Sequence, residues 1–152
     1  MRFYRLGSLV RPKAAEAFSG EGALHYAGRW NSVGTRVVYA SSSVALACLE
    51  TLVHLRKLKH PHERWLFTVE VPDELVETLQ QLPPGWDAQP ASDSGRAAGD
   101  QWIASGSGAA LLVPSSIVPM EHNALLNPLH PKFRLEWVQA PVRFRYDRRL
   151  KG

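Results

Sequence analysis

Residues 28–50 read GRWNSVGTRVVYASSSVALACLE, which combines a turn signal, a strand signal and a helix signal in one continuous stretch. The GRWNSVGT part contains two permissive glycines and an Asn-Ser pair that can form local hydrogen bonds, so it predicts a turn. The RVVYA run that follows is β-branched and aromatic, which predicts a short buried strand carrying Tyr39. A turn, a strand and a helix in immediate succession indicate a mixed fold rather than a helical bundle or a pure sandwich.

The third signal in this stretch is a helix that begins after three serines, any of which could be its N-cap. The pattern is helical from Val44 to about Lys57, and basic residues cluster near its end, where cations suit the helix dipole. Leu46, Leu49 and Val53 recur at spacings of three and four residues and predict the buried stripe. Glu50 falls beside that stripe, so its carboxylate should emerge at the edge of the buried face.

Arg29, Tyr39 and Glu50 thus lie on three successive elements, and each has a structural explanation as well as a functional one. Tyr39 alone fits a core tyrosine with a satisfied hydroxyl. Glu50 alone fits a carboxylate at a helix edge, and Arg29 could anchor a turn by donating to carbonyls. The combination of a cation, an aromatic ring and a carboxylate favours a functional site.

These residues belong to a longer series of motifs that resembles the RES-domain toxins of bacterial type II toxin–antitoxin modules. The order and spacing of the motifs fit that family over almost the whole chain. The motifs are FYRL with Arg5, GRWN with Arg29, VVYAS with Tyr39, LETLVH with Glu50, and VPSSIVPMEHNALLNPLHP with Ser115, Asn123 and Asn127.

The resemblance implies one α+β domain over residues 1–152, with an ADP-ribosyltransferase-like fold. We expect twisted, mainly antiparallel sheets with peripheral helices around an NAD cleft. NAD would be a consumed substrate whose nicotinamide–ribose bond is cleaved, and the acceptor of ADP-ribose stays open between a protein, water and phosphate. A cognate antitoxin is the expected protein partner, nucleic acid would be reached only through that complex, and homo-oligomer formation stays open.

The resemblance also implies roles for the site residues, and the chemistry of NAD explains them. Cleaving the bond to nicotinamide develops positive charge on the ribose, which the carboxylate of Glu50 would stabilise while it orients the acceptor. The pyrophosphate requires a fixed cation, for which Arg29 is the first candidate and Arg5 the second. Tyr39 could stack on nicotinamide and exclude water.

Two later motifs supply further candidates. ALLVPSS predicts a buried strand that ends at Pro114 and opens into a loop. Ser115 or Ser116 could hydrogen-bond the amide or ribose of NAD; family position favours Ser115, and no G-x-S-x-G elbow makes either serine a nucleophile. In HNALLNPLHP, an Asn-Pro step and a second proline predict turns. We expect Asn123 and Asn127 to bond loop backbone near the pocket, and the resemblance adds Asn123 to the NAD-binding residues.

The composition limits the remaining classes of protein. The chain has a net charge of +4 and a single cysteine, Cys48, which excludes an internal disulfide and fits a buried thiol. No apolar run of about 18 residues and no signal-peptide core occur, so we expect a soluble, cytoplasmic chain without a membrane contact. His60 and His62 lack any H-E-x-x-H or Cys/His cluster, so no metal is expected. Rossmann and Walker motifs are also absent.

The basic C-terminal region offers an alternative function. From Lys132 onward there are seven Lys or Arg and two Asp or Glu, so this region carries +5 and the rest of the chain −1. RFRYDRRLKG reads as an edge strand with a solvated end. It could instead make the chain a noncatalytic module that binds nucleic acid or an acidic protein. A member that folds without catalysis is a third possibility, against which the presence of Arg29, Tyr39, Glu50 and Ser115 speaks.

The middle of the chain is predicted as scaffold and connection. We expect strands near Phe3, Val38, Phe67, Leu112 and Phe144. The proline- and glycine-rich residues 82–100 predict a long connection with a turn of helix at about Asp100–Ser105. A connection of that length could border the pocket or bind the antitoxin.

Overall fold

The computed structural model describes residues 1–55 and 63–150. The predicted end of the helix at Lys57 and the pair His60 and His62 lie outside the described residues. Within those ranges the strands are β1 Arg2–Gly7, β2 Val38–Ser41, β3 Glu63–Glu70, β4 Val76–Thr78, β5 Ala110–Pro114, β6 His122–Leu126 and β7 Val142–Arg145. The α-helices are α1 Ala14–Ala17, α2 Glu21–His25, α3 Val44–Leu52 and α4 Asp93–Ser105, with short 3-10 helices at Asp73–Leu75 and Leu135–Trp137.

All seven of these strands join one sheet in the order β4-β5-β6-β2-β1-β3-β7. Every neighbouring pair is antiparallel except β4 and β5. The register sets Ser41 of β2 opposite Asn123 of β6 and Tyr39 opposite Leu125. The predicted α+β fold with a mainly antiparallel arrangement and peripheral helices is therefore confirmed.

Apolar side chains cover both faces of this sheet. Along β6, Ala124 and Leu126 join a core that contains Phe3 and Phe67, whereas Leu125 joins a second core with Trp30 and Trp102. Side chains that alternate along a strand point to opposite faces, which explains why neighbours in sequence belong to different cores. Strands near the five predicted positions are present, and β7 lies at the sheet edge as predicted.

Helix α3 begins where predicted but buries a different stripe. Ser43 is its N-cap, because its hydroxyl accepts from the backbone N–H of Leu46 at 3.0 Å. Leu46 and its two successors, Ala47 and Cys48, are buried, and burial raises the pKa of the Cys48 thiol. The prediction that Leu49 and Val53 belong to the buried stripe is wrong: they are 40% and 47% exposed. The buried side of the helix is instead the one that carries Leu46, Ala47 and Cys48.

Two segments predicted as loop or turn are regular structure. Helix α4 spans 13 residues from Asp93, so the short turn predicted at Asp100–Ser105 is only its final part. The Ser92 hydroxyl caps it by accepting from Gly95 N at 3.3 Å, and Gly106 ends it in the left-handed region at φ +61°. The turns predicted in HNALLNPLHP are also wrong for 122–126, because pairing of β6 with both β5 and β2 outweighs the local preference of asparagine.

Strand β4 has no counterpart in the prediction. It is three residues long and pairs in parallel with β5 at one edge of the sheet. In the part of the chain that the structure describes, no helix has both the length and the hydrophobicity needed to cross a membrane.

Candidate active site

Glu50 on α3 is the centre of a polar cluster that three elements build together. Its Oε1 accepts hydrogen bonds from the Ser115 hydroxyl at 2.7 Å and from Asn123 Nδ2 at 2.5 Å. Ser115 follows the end of β5, and Asn123 lies on β6. Among the described residues Oε2 accepts no hydrogen bond, so one carboxylate oxygen is fixed and the other remains available to a ligand.

The two donors to Glu50 are themselves held in place. Ser115 is fully buried, and its hydroxyl also accepts from Ile117 N and Val118 N, both at 3.0 Å. Asn123 Oδ1 accepts from the hydroxyl of buried Ser41 at 2.8 Å. The orientation of the carboxylate is therefore determined by groups that have little freedom of their own.

Tyr39 on β2 forms one wall beside this cluster and uses its hydroxyl to hold the GRWN turn. Tyr39 Oη donates to Asn31 Oδ1 at 2.6 Å and accepts from Trp30 N at 3.1 Å. Asn31 is buried and donates to the carbonyls of Ala23 and Tyr26, at 3.0 and 3.1 Å. Burial raises the pKa of Tyr39, so the phenol is neutral and its hydroxyl is committed to structure.

The GRWN turn needs glycine at position 28 for close approach. A Cβ on Gly28 would lie 2.6 Å from Asn31 Oδ1 and 2.7 Å from Tyr39 Oη. Both contacts are shorter than side-chain carbon atoms tolerate, so any larger residue would push the Tyr39 ring away from the turn.

The two predicted phosphate-binding arginines have different surroundings. Arg29 Nη1 donates to the carbonyls of Trp86 at 2.8 Å and Ala88 at 2.9 Å, which is the turn-anchoring role considered above and ties the 82–92 segment to the site. Arg5 Nη1 donates to the Tyr39 carbonyl at 2.9 Å, while its Nε is buried without a partner. Burial lowers the pKa of Arg5 to about 10.

Two cavities meet at the Glu50 cluster. The strand-side cavity, of about 390 Å³, is lined by Arg5, Arg64 and residues of β1, β2 and α3. The turn-side cavity, of about 420 Å³, is lined by Arg29, Trp30, Arg96, Ser116 and their neighbours. Both are lined by Tyr39, Glu50, His54 and Asn123, so the two cavities adjoin at the Glu50 side chain, and together they are called the cleft.

The predicted site residues divide by their relation to this cleft. Arg5, Arg29, Tyr39, Glu50 and Asn123 line it, as does Ser116. Ser115 does not line either cavity and reaches the site through Glu50. Asn127 is likewise outside the lining: it is buried, and its Oδ1 accepts from Leu129 N at 3.1 Å, as expected for a residue that bonds loop backbone. The same expectation is wrong for Asn123, which lies on β6 and bonds the side chains of Glu50 and Ser41.

Helix α4 overlaps the 82–100 segment that was predicted to border the pocket or bind the antitoxin, and it packs against the GRWN turn. Arg96 Nε donates to the Gly28 carbonyl at 3.1 Å, and Asp100 Oδ1 accepts from Ser32 N at 2.9 Å. A Cβ on Gly99 would lie only 1.7 Å from the Trp30 carbonyl oxygen. The Gly95 and Gly99 pair, four residues apart on one helix face, is the sequence signal that could have revealed this close packing.

No group of three or more His, Cys, Asp or Glu side chains that could hold a metal ion occurs within residues 1–55 and 63–150. The cleft therefore offers a ligand a carboxylate, an amide, an aromatic ring and arginines. This donor set suits a ligand that combines sugar, aromatic base and phosphate.

A mainly antiparallel sheet with peripheral helices and a cleft centred on one carboxylate is consistent with the ADP-ribosyltransferase-like class. The model of the RES domain family matches residues 2–147. The chain belongs to the RES domain family.

Curated relatives cover nearly all of the chain. A "Prs ADP-ribosylating toxin" of Sphingobium sp. (strain YBL2) is 46% identical over 97% of this chain and 95% of its own length. A "Toxin Res" of Yersinia enterocolitica is 42% identical over 99% of this chain and its full length. A "Toxin Res" of Photorhabdus laumondii is 38% identical over 88% of this chain and 85% of its own length.

Proposed function

We propose that this chain is a toxin that consumes NAD by cleaving its nicotinamide–ribose bond in the cleft around Glu50. The observation that carries the proposal is the Glu50 carboxylate, which has one oxygen fixed by Ser115 and Asn123 and belongs to a residue that lines both cavities. The names of the relatives, which describe toxins and in one case ADP-ribosylation, support the same reading. One domain over residues 1–152, acting in the cytoplasm, would carry the activity.

The proposed mechanism assigns the bond cleavage to charge stabilisation by Glu50. As nicotinamide departs, positive charge develops on the ribose, and a carboxylate already held in position stabilises that charge without reorganising. The free Oε2 would face the sugar and bind a ribose hydroxyl or orient the acceptor. Asn123 and Ser115 act as positioning residues in this scheme, since both contact Glu50 rather than the open cleft at their donor atoms.

Tyr39 and the arginines would bind the rest of NAD. The Tyr39 ring faces both cavities while its hydroxyl is held by the turn, which suits stacking on nicotinamide and not proton transfer. Arg29 keeps donors beyond the Nη1 atom that anchors Trp86 and Ala88, and Arg5 has a buried Nε without a partner. Both would therefore contribute to phosphate binding, with Ser116 rather than Ser115 closest to a ligand.

The names of the relatives bear on the proposed acceptor of ADP-ribose and on the proposed partner of the toxin. A relative named for ADP-ribosylation of Prs supports a protein acceptor, while water or phosphate would lead to NAD depletion. A cognate antitoxin that covers the cleft would keep the producing cell alive. Any contact with nucleic acid would then belong to the antitoxin complex.

The alternative is a noncatalytic module that uses the basic C-terminal strand. Arg143 is paired with Glu63 at 3.2 Å and lies 4.7 Å from the centre of the Trp65 ring, and Arg149 is paired with Asp147 at 2.9 Å. These partners reduce the positive charge that an acidic ligand would meet. The alternative therefore ranks below the enzyme.

The test is incubation of the purified protein with NAD, alone and with cell lysate, while free nicotinamide and protein-bound ADP-ribose are measured. Wild type should release nicotinamide, and Glu50→Gln should reduce the rate by about 100-fold or more, the range for loss of one preorganised electrostatic group. Exposed Glu74→Gln, which changes the same charge elsewhere, is the matched control.

A labelled band in lysate would identify a protein acceptor, whereas nicotinamide release without label would identify water or phosphate. Equal rates for wild type and Glu50→Gln in both mixtures would remove the proposal. In that case, weaker nucleic-acid binding by Arg145→Gln and Arg148→Gln would support the noncatalytic binding module.

A further inference from the structure

The strand-side cavity contains two arginines from neighbouring strands. Arg5 comes from β1 and Arg64 from β3, which pair with each other along their length. Among the described residues that line this cavity, Glu50 is the only one with a carboxylate. Two guanidinium groups against one carboxylate leave the cavity with an excess of positive charge.

Within residues 1–55 and 63–150, neither arginine has an anionic partner. The Nε atoms of Arg5 and Arg64 are both buried without a hydrogen bond, and no carboxylate of the described residues lies within 4.0 Å of either guanidinium. Residues 56–62 read RKLKHPH and contain no acidic side chain. Buried donors without acceptors are rare in proteins because each costs free energy, so both Nε atoms need an explanation, as does the buried, unpartnered Tyr146 hydroxyl beside Arg64.

A comparison within the same sheet shows that a position on or next to β3 does not by itself leave an arginine unpaired. Arg143 on β7 is also next to β3, yet it is paired with Glu63 and packed on the Trp65 ring. Arg143 is exposed, where an unpaired guanidinium would cost little, and Arg64 is half-buried, where it costs more. The exposed Arg143 is therefore paired with a carboxylate, whereas the half-buried Arg64 in the cavity has no acidic partner among the described residues.

The arginines that line the turn-side cavity already use more of their donors within the protein. Arg29 already donates to two carbonyls, and Arg96 donates to the Gly28 carbonyl and pairs with Asp93 at 3.2 Å. Asp87 also lines that side. The better site for an anion is thus on the strand side of Glu50.

We propose that Arg64, together with Arg5, forms a phosphate-binding subsite in the strand-side cavity. A phosphate group in the cavity would meet the guanidinium groups of both lining arginines, and the fork of a guanidinium matches phosphate in a bidentate manner. This inference rests on the proposed function, because it places a phosphoryl group of a reactant beside Glu50. The group is either the diphosphate of NAD or a free phosphate ion that serves as acceptor.

The experiment measures binding of two probes, ADP-ribose and inorganic phosphate, by titration calorimetry to wild type, Arg64→Gln and Arg64→Lys. Arg143→Gln is the matched control, since it removes the same charge from an exposed site on the adjacent strand. Loss of a charge-assisted bidentate contact predicts binding about 10- to 100-fold weaker for Arg64→Gln. Arg64→Lys keeps the charge and removes the fork, so its loss should be smaller.

The two probes identify the source of the phosphate. Weaker ADP-ribose binding in Arg64→Gln, with or without weaker phosphate binding, assigns the subsite to the dinucleotide. Weaker inorganic phosphate binding with unchanged ADP-ribose binding assigns it to a free acceptor. Arg64 variants that match Arg143→Gln for both probes, or a wild type that binds neither, would overturn the subsite.

These measurements are independent of bond cleavage. They use products and ions rather than NAD, so a protein that binds ADP-ribose through Arg64 but releases no nicotinamide would retain the subsite and lose the proposed function. Thermal unfolding of each variant separates weaker binding from loss of the fold.

Discussion

Gly99→Ala tests whether the packing of helix α4 against the GRWN turn holds the site in place. The added Cβ would lie 1.7 Å from the Trp30 carbonyl oxygen and 2.7 Å from its carbonyl carbon. Because both atoms belong to backbone, no side chain can rotate away. The helix or the turn must move by about 1.3 Å before the contact becomes tolerable.

The expected cost has two parts that oppose each other. Overpacking of a tight contact costs about 3 kcal/mol. Alanine recovers about 1 kcal/mol relative to glycine inside a helix. The free energy of unfolding should therefore fall by about 2 kcal/mol, which lowers Tm by about 4–8 °C for a domain of this size.

The displacement should also reach the cleft. Trp30 N donates to Tyr39 Oη, so a shift of the turn moves the hydrogen bond that orients the Tyr39 ring. Misplacement of a binding wall by about 1 Å can lower the rate by about 100-fold. Nicotinamide release and chemical unfolding, measured on the same preparation, give the change in rate and the change in the free energy of unfolding.

Gly22→Ala is the control, because Gly22 lies in helix α2 and a Cβ there would meet nothing within 4 Å. It should leave Tm unchanged or slightly raised. If Gly99→Ala matched Gly22→Ala in both unfolding and rate, the close approach of α4 to the turn would not be what positions the cleft. Loss of stability with an unchanged rate would confine its role to folding.

Two further outcomes follow from single side chains. Ser115→Ala removes a donor to Glu50 and the acceptor of two backbone N–H groups. It should therefore lower the free energy of unfolding by about 1–3 kcal/mol and also slow nicotinamide release. The control Ser116→Ala, at a half-buried neighbouring position, should lower the free energy of unfolding less. For Asp100, burial acts to raise the pKa, but hydrogen bonds from Ser32 and Thr35 outweigh it and hold the pKa of this carboxyl below its ordinary value. A lowered pKa stabilises the fold above the unfolded-state pKa of about 3.9 and loses that effect as pH falls through the folded-state pKa. The stability difference between wild type and Asp100→Asn, measured by urea unfolding, should thus be constant above about pH 5 and shrink below about pH 4; a difference that grows on acidification would contradict this sign.

The strands that the sequence predicts are those whose signal is local. Runs around Val38, Phe67 and Leu112 are rich in β-branched and aromatic residues, and their hydrophobic pattern is sufficient to place them. Strand β6 was predicted as turns because asparagine and proline disfavour strands, but Pro128 follows the strand, and pairing on both sides outweighs the asparagines. Such pairing involves residues far away in the chain and has no local signature.

The long connection predicted at 82–100 shows a second limit. Glycine lowers helix propensity, so Gly95 and Gly99 favour a loop when only local preferences are considered. In the fold they allow α4 to approach the GRWN turn, and that contact compensates for their poor propensity. From the sequence alone, a glycine required for close packing against another element cannot be distinguished from a glycine required by a turn.

The sequence indicated which residues are candidates for the site, but it did not indicate which of them contact one another. The pattern placed Glu50 at the edge of the buried face of its helix, where the structure also has it, and the resemblance supplied Arg5, Arg29, Tyr39, Ser115 and Asn123. Their roles stay predictions. The hydrogen bonds from Ser115 and Asn123 to Glu50 span 65 and 73 residues, which no periodicity encodes. Arg64 and Arg96 were missed because each is an ordinary charged residue in its local sequence.

The distance along the chain between Glu50 and its two donors also has a consequence for biosynthesis. A ribosome that has translated β1, β2 and α3 has already made the carboxylate, but the strand that carries Asn123 is still unmade and nothing fixes Oε1. The carboxylate acquires its final orientation only when β5 and β6 have emerged and entered the sheet beside β2. Under the proposed function, a nascent chain would therefore be inactive for most of its synthesis, and an antitoxin would need to act only after β6 has joined the sheet.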